Sequence, residues 1–214
     1  MPTHAELVRA LTDRYGQTYA DRAGIRLADK PSPLYRLLVL SLLLSARISG
    51  DIAVSAAREL TRAGYRTPKA MAAATWQDRV DALGRGHYRR YDERTATMLG
   101  DGAEQLIDEY GGDLRRLHEQ AGDRSEIEGL LQHFPGIGPS GAAIFCREAQ
   151  VVWPDLAPYV DPKARDGAKA VGLPSSPERL ASLVDRHDLP GLLAACVDVS
   201  RSQRAADEVK SAAC

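Results

Sequence analysis

The stretch FPGIGPSGAAIFCREA, Phe134–Ala149, combines residue types and spacing that suggest chemistry. Pro135 forbids continuation of a preceding helix. Gly136 and Gly138 permit a tight turn with positive φ and place no Cβ in the way of an approaching partner. Pro139 suits the first turn of a second helix, because the N–H it lacks would be unbonded there in any case. Backbone amides at the start of that helix then point outward, where their partial positive charge favours an anion such as phosphate. The same glycines would equally serve an αα-hairpin whose two helices pack closely, and spacing alone leaves both readings open. Downstream, Asp161 precedes Pro162 and a helical segment, the arrangement of an N-cap whose carboxylate bonds the first amides.

A second cluster is GRGHYRRYDER, Gly84–Arg94, in which aromatic and basic residues interleave. His87 and Tyr88 are expected to wedge or stack against bases, with Arg85, Arg89 and Arg90 on phosphates. The alternative is a solvated helix face, since Asp92 and Glu93 follow at once. Formal net charge is −1, so an anionic partner would have to be held by a local patch. Cys146, Cys196 and Cys214 form no short-spaced ligand set, and an odd count argues against a disulfide framework.

The elements that must position these residues are helices. Aromatics are only 6% of the chain and alternating runs are scarce, whereas DIAVSAARELTRAG (Asp51–Gly64) places apolar residues at helical spacing and ends on Gly. The chain reads as all-α, with helices expected over 3–14, 32–46, 51–63, 68–73, 76–83, 88–109, 113–120, 125–133, 139–149, 162–171, 176–186 and 189–209. The helix leading into the hairpin is expected to be capped by Ser125 with Glu128 three residues on, a capping box. The run LLVLSLLLSA (Leu37–Ala46) is apolar nearly all round and belongs at the centre of the fold. It is too short to span a bilayer, and no signal-peptide pattern is present, so a cytoplasmic protein is expected.

On these motifs the sequence resembles the helix-hairpin-helix DNA glycosylase superfamily, in its endonuclease III-like branch. FPGIGPSGAA resembles the LPGIG hairpin, and Asp161 in YVDPKARDGAKAVGL lies at the distance of the family's catalytic Asp. SPLYRLLVLSLLLSARISGDIAVSAARELTRAG resembles the first core helix and the LLSAQ-type turn, and ALGRGHYRRYDERTATMLG the Gly-containing loop and next helix. The resemblance covers about residues 31–173. It implies a central helical barrel domain over 31–154 containing the hairpin, a second helical domain from 1–30 plus 155–214, and a DNA-binding cleft between them with Ser140 and Asp161 on its walls.

The implied activity is excision of a damaged or mismatched base from double-stranded DNA, by a monomer with no membrane association. Breaking an N-glycosidic bond builds positive charge on the sugar that the Asp161 carboxylate would stabilise. The resemblance assigns DNA contact to Gly136, Ile137, Gly138 and Gly141, a gap-filling role to Arg47, a wedging role to His87 beside Tyr88 and Arg89, and a place near the lesion to Lys163. Lys163 reads otherwise as a solvated first-turn lysine, and Arg47 as an exposed helix-end cation. A monovalent cation on the carbonyls of Gln132, Phe134 and Ile137 is also implied.

Three departures shape the expectation. Ser140 stands where bifunctional relatives carry a Lys, and Ser cannot form the imine that supports strand cleavage, so a monofunctional, water-using enzyme is expected. Ser41 stands where adenine-mismatch enzymes carry a Glu. Only Cys196 and Cys214 lie in the region of the branch's four cluster cysteines, so no iron-sulfur cluster is expected. The alternative function is a catalytically decayed module that recognises abasic or distorted DNA.

Overall fold

The computed structural model describes residues Pro2–Ala213, and all regular structure among them is helical. The chain divides into two compact units. One comprises the N-terminal segment up to Tyr19 and resumes at Leu156; the other is Ala20–Asp155.

In the first unit, α1 (His4–Tyr15) starts in a full capping box: Thr3 accepts the Glu6 amide and Glu6 accepts the Thr3 amide at 2.7 Å. The short α2 (Tyr19–Arg22), not anticipated from sequence, carries the chain across into the second unit.

The second unit is organised by α3 (Pro31–Ser45). Leu34, Leu37, Leu40 and Leu43 are completely buried, as expected of a helix apolar on every side. Around it lie α4 (Gly50–Arg62), α5 (Pro68–Ala73), α6 (Trp76–Arg85), α7 (Asp92–Tyr110), α8 (Leu114–Gln120), α9 (Arg124–Leu131) and α10 (Pro139–Ala149), with α4, α8 and α10 packed directly on α3. Each of α4, α5, α6, α8 and α9 begins with a Ser, Thr or Asp side chain accepting an orphan amide.

Residues 20–30 belong with this unit, so its boundary lies at 20 where 31 was expected. The contacts that hold them are specific. The Ala20 amide donates to Glu148 Oε2 at 2.7 Å, the Arg36 guanidinium to the Gly24 carbonyl at 3.0 Å, and the Trp153 indole to Asp29 at 3.1 Å, while Ile25 is buried.

After a 3₁₀ turn (Pro154–Leu156), the first unit is completed by α11 (Pro162–Val171), α12 (Pro177–Ala181), α13 (Leu189–Val199) and α14 (Gln203–Ala212). Its core joins Leu7 and Leu11 of α1 to Ala164, Ala168, Leu192, Leu193, Cys196 and Val209. The closest approach is between α11 and α13: a Cβ at Gly167 would stand 1.7 Å from the Cys196 carbonyl oxygen, so only glycine fits.

Three expected helices are corrected. The 88–109 helix begins at Asp92, because the Tyr88 amide closes back on the Leu83 carbonyl and the chain loops out before restarting. The 176–186 helix stops at Ala181. The 189–209 helix breaks at residues 200–202, where Ser202 caps a new helix by accepting the Ala205 amide.

Candidate nucleic-acid interface

In the second unit, α9 and α10 form a helix-hairpin-helix. The α9 cap is Asp123, not Ser125: Asp123 accepts the Glu126 amide at 2.9 Å, and Glu126 reaches back to the Gly122 amide at 2.7 Å. The side-chain cap lies two residues upstream of the expected one, and since Glu126 takes the amide of Gly122 and not that of the cap residue, the expected capping box is not formed. The turn Phe134-Pro135-Gly136-Ile137 is closed by the Ile137 amide donating to the Phe134 carbonyl at 3.0 Å, with Gly136 at φ +80°. Pro at the second position and a left-handed Gly at the third are the pattern of a type II turn.

The glycines divide by role. Gly136 is required by its backbone, and a Cβ there would also stand 2.7 Å from Met98 Sδ. Gly141 is required by packing, since a Cβ would stand 2.6 Å from Ser45 Oγ on α3. Gly138, expected to share the positive φ, is extended at φ −94° as the cap of α10, and a Cβ there would meet nothing within 4 Å. Neither conformation nor internal packing calls for glycine at 138. An exposed Ser140 follows it in the first turn. Among the described residues the amides of Gly138, Ser140 and Gly141 have no acceptor, which makes this helix start a competent anion cradle. Gly141 itself is buried, so its contribution to such a cradle is limited to its amide.

The Gly84–Arg94 segment separates into two faces. His87 and Arg89, both exposed, border a shallow depression with Arg85 and Asp92. Arg85 is also 3.8 Å from Glu59. Tyr88, expected to wedge or stack, is instead fully buried, with its hydroxyl accepting from Thr95 at 3.3 Å; its ring is not available to a base. The exposed ring is Tyr91, 42% accessible, which sequence reasoning missed. His87 (φ +64°) and Tyr91 (φ +70°) are the positive-φ residues other than glycine among those described, both in this loop. Such backbone costs of the order of ~1–2 kcal/mol per residue.

Arg47 lies two residues beyond the end of α3, exposed, and lines a pocket of about 350 Å³ with Tyr91, Arg94 and Gly136. Ser41 is completely buried inside α3, where its carbonyl accepts the Ser45 hydroxyl at 2.6 Å.

In the first unit, Asp161 caps α11. Its Oδ1 accepts the amides of Lys163 at 3.0 Å and Ala164 at 3.3 Å, and the residue is only 5% exposed. The Lys163 side chain is exposed. Burial, and secondarily the Asp161 charge, pushes the Cys196 thiol up to about 12. In the second unit, burial likewise pushes the Cys146 thiol far above its ordinary range. Both thiols are free, and Cys214 lies outside the described residues. No group of three or more His, Cys, Asp or Glu side chains suited to a metal occurs among the described residues, nor is any helix there long and apolar enough to cross a membrane.

No protein-family model matches the chain and no curated protein matches it. Solved structures similar to it include a trapped endonuclease III–DNA covalent intermediate, estranged-adenine complex, at 18% identity, and a non-covalent endonuclease III–DNA complex, at 19%. Each similarity has a TM-score of 0.49 and covers 93% of this chain and 86% of the other.

Proposed function

We propose that the protein is a helix-hairpin-helix DNA glycosylase that removes a damaged or mismatched base from double-stranded DNA, acting as a monomer. The observation that carries this reading is the start of α10: three amides without acceptors behind a glycine, Gly138, that neither backbone nor packing requires. A phosphate approaching those amides needs the space that a side chain at 138 would fill. Such contacts need no net positive charge, which fits a chain of formal charge −1. A monovalent cation would suit the outer side of the turn. The carbonyls of Gln132 and Ile137 take no donor among the described residues, and that of Phe134 accepts only the Ile137 amide.

The chemistry is assigned to Asp161. As the C1′–N bond of the target nucleotide breaks, its electron pair leaves with the base and positive charge builds on the sugar. The Asp161 carboxylate stabilises that charge and takes the proton from the water that adds at C1′. Ser140 has no amine to form an imine, so the product is an intact strand with an abasic site. Arg47, His87, Arg89 and Lys163 are read as DNA contacts.

The test is a panel of duplexes, each with one damaged or mismatched base, incubated with wild type and Asp161→Asn and then divided with and without hot alkali. Cleavage only after alkali, absent in the variant, supports the proposal. Cleavage without alkali overturns the monofunctional assignment and makes Lys163 the first suspect, to be checked by borohydride trapping. Binding to an abasic-analogue duplex with no excision across the panel favours a module that has lost catalysis.

A further inference from the structure

Arg36 of α3 and Arg66, just beyond the end of α4, converge on one residue, Thr61. Arg36 Nε donates to the Thr61 hydroxyl at 3.2 Å and its Nη2 to the Gly24 carbonyl at 3.0 Å, while Arg66 Nε donates to the Thr61 carbonyl at 3.1 Å. The Ser32 hydroxyl, in the first turn of α3, donates to the Arg66 carbonyl at 2.9 Å and ties the backbone of one arginine to the helix of the other. Arg36 is half-buried and Arg66 exposed.

These acceptors occupy only part of each guanidinium. Nη1 of Arg36 and both terminal nitrogens of Arg66 have no acceptor among the described residues, and neither arginine is in an ion pair there. The Thr61 hydroxyl takes a donor but gives its own proton to no described residue. Thr12 and Thr97, also helical, return theirs to the carbonyls of Val8 and Glu93 one turn back. The groups left over at the site are therefore donors. Burial first, and the Arg66 charge second, hold Arg36 below its ordinary range, with no carboxylate acting on it among the described residues.

Capping accounts for part of the arrangement, since Arg66 Nε on the last turn of α4 offsets the negative end of that helix. It does not account for Arg36, brought in from α3 to a place where it repels Arg66. An occupant that relieves the repulsion is an anion with acceptor oxygens for two guanidinium forks and a hydroxyl. Phosphate has enough of them, whereas the two oxygens of a carboxylate satisfy one fork.

We propose that Arg36, Arg66 and the Thr61 hydroxyl form a phosphate-binding site on the second unit, separate from the hairpin. Along α3, Arg36 precedes Ser45, where the hairpin docks, by about 14 Å of helix rise. The site does not depend on the function proposed above.

The experiment follows the melting temperature of the full chain as inorganic phosphate replaces chloride at constant ionic strength. Wild type is expected to gain about 3–6 °C once phosphate stands tenfold above its dissociation constant. Arg66→Gln, at an exposed position, should lose most of that gain. Thr61→Ala should lose part of it and Thr61→Ser none. Phosphate also stabilises proteins by exclusion from their surface, which acts on every variant alike, so the difference between chains reports the site. Arg179→Gln, an exposed charge in the other unit, should respond as wild type does. A second arm identifies the source of the phosphate, by anisotropy on an abasic-analogue duplex over a range of salt. An unchanged salt slope in Arg66→Gln is expected and assigns the site to a free phosphate or a phosphate-bearing small molecule; a slope smaller by about 0.9 assigns it to the DNA backbone. Equal gains in wild type and Arg66→Gln, or an equal loss in Arg179→Gln, overturn the proposal whatever the duplex shows. Failure to bind any duplex overturns the DNA-repair reading and leaves the phosphate response to decide this site.

Discussion

Gly141 and Ser45 approach so closely that a Cβ on residue 141 would stand 2.6 Å from the Ser45 hydroxyl oxygen, which is itself tied at 2.6 Å to the Ser41 carbonyl. The hairpin is thereby docked on the end of α3 through a contact with no slack. Gly141→Ala is expected to destabilise the protein by about 1–3 kcal/mol, the usual cost of forcing a methyl into a packed site. Ser45→Ala removes the obstructing oxygen, so the double variant should recover part of that loss. A urea-denaturation double-mutant cycle measures the coupling, and strict additivity would show that the contact does not control the docking.

Gly136 and Gly138 should respond oppositely to alanine. At Gly136 the left-handed φ of +80° and the Met98 sulfur both resist a Cβ, so Gly136→Ala should cost about 1–3 kcal/mol of stability. At Gly138 there is open space and an extended backbone, so the loss of a favourable cap residue should cost no more than about 1 kcal/mol. If the α10 amides hold a phosphate, Gly138→Ala lowers duplex affinity out of proportion to that small change. Thermal melting and salt-titrated anisotropy on the same samples separate the two effects.

What could be read from sequence depended on how local the cause was. The α3 helix was legible because its apolar residues leave no polar face, and the hairpin because Pro135, Gly136 and Pro139 act through their own backbones. The division of labour among the three glycines was not, because Gly141 is fixed by Ser45, ninety-six positions earlier, and Gly138 by nothing inside the fold. Tyr88 and Tyr91 stand in the same basic cluster with similar neighbours. Which ring is buried is decided by the Tyr88 amide closing on Leu83 and by the Thr95 hydroxyl, contacts that no periodicity announces. The break between α13 and α14 had a faint signal in Ser200 and Ser202, outweighed by the apolar spacing on either side.

Asp161 holds a structural and a proposed chemical role at one atom group, and the two are separable. Its Oδ1 accepts two amides at the start of α11. Asparagine caps helices about as well as aspartate, so Asp161→Asn should stay within about 0.5 kcal/mol of wild type, while Asp161→Ala should lose about 1 kcal/mol. Only the carboxylate can stabilise cationic sugar, so both variants should lose base excision. Denaturation curves set beside excision rates check this; full activity in Asp161→Asn would remove the residue from the chemistry.

The buried thiols predict an alkaline limit to stability. Cys196 has its folded pKa pushed up to about 12, by burial first and the Asp161 charge second, against an ordinary thiol value of about 8.5 in the unfolded chain. Below pH ~8.5 both states keep the proton and the thiol adds no pH dependence. Above it the unfolded chain releases a proton that the folded chain retains, so stability falls as pH rises, until the folded thiol also ionises near pH 12. Cys146, raised by burial in the other unit, acts in the same direction. Urea midpoints should therefore decline from about pH 8.5 upward in wild type, and decline less steeply in Cys146→Ala/Cys196→Ala. Tyrosine ionisation contributes only from about pH 10, so the interval between the two isolates the thiols. The same burial should make Cys146 and Cys196 unreactive towards a disulfide reagent at neutral pH until the chain unfolds, measured in a Cys214→Ser background so that the third thiol does not report.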